Sequence, residues 1–138
     1  MTTPSSWEYA GTVVRVVDGD TVVLRLTKTF VQEIDFGFFV KDSMSLAKSA
    51  EIDFRLMGIN APEKSGATKA RGEASKRALE ELLAQGTLRV VSYKPDKYGR
   101  WLADLYVTPA GKPEFHANAK LIELGHAVAW DGRGERPA

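Results

Sequence analysis

Runs of β-branched and aromatic residues, broken by short polar stretches, dominate the first third of the chain after its polar start. Residues 11–26, GTVVRVVDGDTVVLRL, hold two β-branched runs separated by Asp18-Gly19-Asp20. Valine favours the pleated strand and Asp-Gly the tight turn, so the pattern predicts a β-hairpin. Phe30, Val31, Ile34, Phe36, Phe38, Phe39 and Val40 extend the ribbon, with Gly37 as a bulge or kink. KDSMSLAKSA reads as a loop, followed by a third strand over 50–57 and, after Gly58, a loop marked by Pro62 and Gly66. Ala70, Ala74, Ala78 and Leu82, with Leu79 and Leu83, recur at helical spacing among charges and predict an amphipathic helix over 67–84. TLRVVSY and WLADLYV read as a fourth and a fifth strand around the turn KPDKYGR. Residues 115–124 read as a short helix stopped at Gly125.

Five strands with one helix after the third and another at the end make an α+β chain. That order suits a five-stranded Greek-key β-barrel of the OB type, here with an extended β-hairpin and two helices. The 138 residues contain no repeat or linker and read as one domain over 8–131, with polar tails at 1–7 and 132–138. Cysteine is absent, which excludes disulfides, zinc–thiolate sites and thiol nucleophiles. His116 and His126 are too few for a multi-histidine metal site, and each reads as a cap or surface residue. The N-terminus lacks the basic start and apolar run of a signal peptide, and no uncharged stretch has the length of a bilayer span. The expectation is therefore a cytoplasmic protein, a phage-encoded one included, without membrane contact.

Net charge is only +1, but residues 60–100 carry nine basic and five acidic side chains. A segment at +4 on a body at −3 is compatible with a polyanion held locally. Three loop clusters add chemistry. Asp18 and Asp20 flank a hairpin glycine, Arg55 closes a strand leading into Asn60-Ala61-Pro62-Glu63, and Lys97, Tyr98 and Arg100 share a turn. Arginine forks meet the negative oxygens of a pentacoordinate phosphorus bidentately and cannot lose their protons. Carboxylates hold a hard divalent cation, and one in reach of a water can take its proton. The inventory suits phosphodiester hydrolysis.

DGDT at 18–21, FRLMGINAPE at 54–63, GEAS at 72–75 and DKYGR at 96–100 resemble the staphylococcal (thermonuclease-type) nuclease family. LIELGHA resembles its leucine-rich segment, and the likeness runs over about 11–130 with an insertion at 27–49. The resemblance implies a calcium-dependent nuclease, acting on DNA and RNA with little sequence preference and leaving 3′-phosphates. It implies that Arg55 and Arg100 are the catalytic arginines and Glu63 the general base. Asp20 would be a direct ligand of one calcium ion, another divalent cation being possible. Asn60 and Ala61 would complete the metal site, Ala61 through its carbonyl. Lys97 and Tyr98 would contact a substrate phosphate, and Asp18 is a neighbouring carboxylate. Trp130, and less so Tyr106, are candidates to stack on a base.

Two departures change the picture. Staphylococcal-type enzymes have Asp-Thr where this chain has Asn60-Ala61, so the metal site loses a charge and should bind calcium more weakly. The 35 residues from Asp20 to Arg55 exceed a short hairpin; DFGFFV resembles an extended arm of phage-type and other bacterial members. Its phenylalanines read as core rather than stacking platforms. Taken alone, Arg55 reads as an ion-pair partner of Asp53 or Glu51, and Arg71, Lys76 and Arg77 as a solvated face. The substrate expected is single-stranded or frayed DNA or RNA, with no obligate protein partner evident. The alternative is a catalytically weak or inactive module of the same fold that binds nucleic acid or protein.

Overall fold

The computed structural model describes residues 6–62, 66–95 and 101–130. Strand β1 (Ser6–Asp18) turns at Gly19-Asp20 into β2 (Thr21–Gly37), which turns at Phe38-Phe39 into β3 (Val40–Leu56). A short β4 (Ile59–Asn60) precedes helix α1 (Lys69–Leu83), which a 3₁₀ turn over Gly66–Thr68 introduces. Then come β5 (Gly86–Tyr93), β6 (Trp101–Pro109), β7 (Phe115–His116), helix α2 (Ala117–Glu123) and β8 (Val128–Ala129).

The main sheet runs β3-β2-β1-β5-β6-β7, and β6 also pairs with β3 in parallel at Phe54↔Trp101. That second pairing closes the sheet into a ring. Apolar side chains of these strands fill it: Val22, Leu24 and Leu26 from β2 meet Phe54 and Leu56 from β3, Val90 from β5, and Leu105 and Val107 from β6. Leu79, Leu82 and Leu83 of α1 and Leu121 of α2 join this core. Each such side chain contributes about 1.5–3 kcal/mol on leaving water. Among the described residues no helix is long and apolar enough to cross a membrane.

Several expectations are corrected. The supposed loop KDSMSLAKSA is strand: β3 pairs with β2 continuously from Thr21↔Arg55 to Asp35↔Lys41. Its serines Ser43, Ser45 and Ser49 sit opposite the exposed Glu33, Val31 and Thr27, the last as a hydroxyl pair at 3.0 Å. A cross-strand partner outweighs weak intrinsic propensity. The arm's phenylalanines are not core. Beyond Thr27 the β1–β2 pairing ends, and Phe30, Phe36, Phe38 and Phe39 are exposed because no second layer faces the ribbon. A register shift between Asp35 and Gly37 does mark the expected bulge.

Helix α1 buries Leu79, Leu82 and Leu83 as expected, with Ala78 packed against the core, but Gly72 and Ser75 are buried as well and Ala70 is exposed. The larger leucines decide which face turns inward, since buried area scales with side-chain size. Phe115 and His116 pair with Val107 and Tyr106 instead of opening the second helix. Gly125 ends α2 as expected, at φ +82°, with Gly125 N donating to Ile122 O (3.0 Å) and His126 N to Leu121 O (2.9 Å). This 5→2 and 6→1 pair satisfies carbonyls that the helix end would otherwise strand.

Candidate functional site

The turn between β1 and β2 brings its aspartate to the end of β3. Gly19 has no room for a side chain: a Cβ there would lie 2.6 Å from Ser75 Cβ and 2.9 Å from Ala61 Cβ. Helix α1 and the segment after β4 therefore press directly on the turn. The Asp20 carbonyl accepts from Leu56 N at 2.8 Å, fastening the turn to β3.

The Asp20 carboxylate is buried and accepts three hydrogen bonds from the described residues. Oδ2 takes one from Arg55 Nη1 (3.0 Å) and one from the Ala61 amide (2.9 Å), and Oδ1 one from Thr21 Oγ1 (3.1 Å). Arg55 is equally buried and donates through Nη2 to the Ile59 carbonyl at 3.0 Å. Its guanidinium carbon lies 5.3 Å from the Trp130 ring centroid. Trp130 is carried there by β8, which pairs with β4, and by its own amide donating to Gly58 O (2.9 Å). Asn60, 4% exposed, and Ala61, 2% exposed, complete the cluster.

A buried ion pair of this kind holds geometry more than it adds net stability, because desolvating both ions offsets much of their attraction. Arg55 is thus oriented by two acceptors, each using one of its five N–H donors. Asp53 and Glu51 are not its partners in these bonds, and Glu51 pairs with Arg25 instead. The reason is topological: Asp20 is brought in by a turn, while Glu51 lies four residues away along the same strand. Next to the cluster, Asn60, Pro62, Arg71, Ser75 and His126 help to line a cleft of about 290 Å³.

Residues 53–136 match the sequence profile of the family described as "Staphylococcal nuclease homologue". The chain belongs to the staphylococcal nuclease family. It is similar, at 28% identity over 129 residues, to "Protein ParB" of Escherichia coli, covering 92% of this chain and 59% of that protein. It is also 28% identical over 131 residues to "Micrococcal nuclease" of Shigella flexneri (92% and 62% covered). An "Uncharacterized endonuclease" of Escherichia coli O157:H7 is 30% identical over 121 residues (88% and 61%). The chain spans about three fifths of the length of these relatives.

Of the site residues expected from the sequence, the structure brings together Asp20, Arg55, Asn60, Ala61 and Trp130. Glu63, Lys97, Tyr98 and Arg100 lie outside the described residues. Sequence reasoning missed three positioning residues. Thr21 holds Asp20 Oδ1. Ser75, within GEAS, donates to the His126 carbonyl at 2.7 Å and ties α1 to the segment before β8. Asn118, 1% exposed, accepts from Leu105 N and donates to the Met57 and Ala103 carbonyls. A lone asparagine flanked by alanines in HANAK was the available signal.

A second polar cluster lies across β5, β6 and β7. Asp104 accepts from the Tyr93 hydroxyl (2.6 Å) and pairs with His116 Nε2 (2.7 Å), and His116 stacks on Tyr106. The hydrogen bond to Asp104, helped by burial, pushes the Tyr93 hydroxyl up to about 12. Burial, then the Asp104 charge, raises Tyr106 as well. Arg89 bonds both Glu114 oxygens and holds that carboxyl below its ordinary value. His116 is the N-cap residue of α2 as expected, but its side chain makes no capping bond and ties strands together instead.

Proposed function

We propose that this chain is a metal-dependent nuclease that hydrolyses phosphodiester bonds in DNA and RNA with little sequence preference. The observation that carries the reading is Arg55, held by Asp20 and the Ile59 carbonyl beside Asn60 and Ala61, in a staphylococcal nuclease family chain. "Micrococcal nuclease" and "endonuclease" are names of its relatives, and their activity is extended to this chain here. The barrel would be of the OB, Greek-key kind, within a domain over 8–131.

Arg55 and Arg100 would share the charge that develops on the phosphoryl oxygens, and Glu63 would orient the attacking water and accept its proton. Lys97 and Tyr98 would hold a phosphate, and Trp130, packed by Arg55, would offer its ring to a base. The donor set of Asp20, Asn60 and the Ala61 carbonyl is all hard oxygen, which fits calcium. Asp20 already balances Arg55, and Asn60 is neutral, so the fit is that of a weak site. When bound, the cation would supply Lewis-acid polarisation. The expected substrate is single-stranded or frayed.

The same weakness supports a second reading, a nucleic-acid or protein binding module with little turnover. Digestion of heat-denatured DNA and of RNA, with calcium or with EGTA, separates the two. The nuclease reading expects EGTA-sensitive cleavage that Arg55→Ala, Arg100→Ala and Glu63→Gln each reduce by at least about a hundredfold. Oligonucleotide binding without cleavage, at the same background in the wild type and all three variants, overturns it. Asn60→Asp should tighten calcium binding in calorimetry; unchanged affinity would remove Asn60 from the metal site.

A further inference from the structure

Past Thr27 the β2–β3 ribbon leaves the barrel and runs alone to its tip, about 30 Å at 3.4 Å per residue. Two strands alone are marginal in water. The ribbon is nonetheless sided. Alternation puts Phe30, Ile34 and Phe36 of β2 on one face with Met44 and Leu46 of β3, the face that carries the core positions Leu24, Leu26 and Phe54 beyond the Lys28–Lys48 pair. The other face carries Thr27, Thr29, Ser43, Ser45 and Ser49 with Glu33, Asp35 and Lys41, and Val31 and Ala47 are its apolar positions. A ribbon meant for solvent on both sides needs no such division.

The tip is more unusual. Phe38 and Phe39 form the turn at φ 52° and 67°, and are 97% and 102% exposed. A two-residue turn with both φ positive favours Asn-Gly, and bulky side chains there are strained. Two phenylalanines therefore serve neither the turn nor the core of their own chain.

At the base of the arm is a complementary feature. Trp7, Tyr9, Phe30, Phe54 and Trp101 line an apolar pocket of about 480 Å³, with Lys28 and Lys48 beside them. These lysines sit directly opposite each other in the ladder, a like-charge pairing that is unfavourable without an anionic neighbour. Near the tip the same face carries the opposite sign through Asp42, whereas Glu33 and Asp35 alternate to the other face, where Glu33 pairs with Lys41. The arm is thus basic at its root, acidic at its end and apolar between.

We propose that a second copy of this chain covers the arm, the two ribbons lying antiparallel about a two-fold axis. In this arrangement each Phe38-Phe39 tip enters the other copy's pocket, and each Asp42 meets the other's Lys28 and Lys48. A two-fold interface requires such self-complementarity, and here both halves are on one chain. At 150–250 Å² per aromatic ring, the four arm phenylalanines at their observed exposures offer about 500–800 Å² per copy. Stable interfaces bury about 800 Å² per partner, a figure that Ile34, Met44 and Leu46 help to reach. The acidic tip disfavours a polyanion along the arm. The proposal does not rest on the nuclease reading.

Sedimentation equilibrium of the whole chain at micromolar concentrations tests it. The wild type should show twice its 15.2 kDa mass. Phe38→Asn combined with Phe39→Gly suits the turn, so it should keep or raise the melting temperature while yielding a monomer. Lys28→Glu with Lys48→Glu should weaken the dimer at least about tenfold, and adding Asp42→Lys should recover part of that loss. A monomeric wild type, or a dimer that none of these changes weakens, overturns the proposal. A monomer whose affinity for a fluorescent oligothymidylate falls with the two lysine changes would give the face to nucleic acid, and equally overturn it.

Discussion

Replacing Asn118 by leucine removes an amide of similar size from the junction of α2, β6 and the turn after β3. The wild-type amide accepts from Leu105 N at 3.0 Å and donates to Met57 O at 2.9 Å and Ala103 O at 3.1 Å. Ala103 O keeps a second donor, Met57 N at 2.8 Å. Two groups are therefore orphaned, the buried Leu105 N–H and the partly buried Met57 carbonyl. At about 1–3 kcal/mol for a buried group and near the lower end for the other, the loss comes to about 2–4 kcal/mol. With an unfolding entropy of about 2.1 cal/mol/K per residue, this is a fall of about 7–14 °C in melting temperature. Asn118→Asp should be at least as harmful, since a carboxylate has no hydrogen for the two carbonyls and brings a charge into the interior. Urea unfolding with an unchanged m-value is the assay. A cost below about 1 kcal/mol for both variants would refute the accounting, because no buried group could then depend on the amide.

Gly19→Ala should cost about 1–3 kcal/mol and lower any cleavage activity, because its methyl must displace α1 or Ala61; unchanged stability in denaturant would refute the close packing. Tyr93 contributes stability that is full below its unfolded value of 10.0 and is lost as pH rises through about 12. Tyr93→Phe should therefore flatten the fall in stability between those pH values, which melting curves across that range would read. Arg55→Met leaves Asp20 buried without its cation and should cost about 3–5 kcal/mol, and adding Asp20→Asn should cost less than the sum of the single changes. A double-mutant cycle with zero coupling would remove the ion pair from the structural argument.

Charge and packing meet in the same few residues at the candidate site. Gly19 lets α1 approach, α1 holds the segment before β8 through Ser75, and that segment carries Trp130 onto Arg55. Losing Arg55 would thus disturb structure as well as chemistry. Any loss of cleavage on its substitution is to be compared with the melting temperature of the same variant.

Local pattern determined much of this protein. Runs of valine marked β1 and β2, spaced leucines marked α1, Gly125 marked the end of α2, and four short motifs in order identified the family. These features depend on neighbours within a few residues, and sequence records those directly. Only the tertiary structure decided what depends on distant partners. Serines at 43, 45 and 49 became strand because β2 lies beside them. Arg55 chose Asp20, 35 positions away, over the carboxylates in its own strand. The phenylalanines of the arm, apolar enough for a core, were left in water because the ribbon extends past the layer that could have buried them.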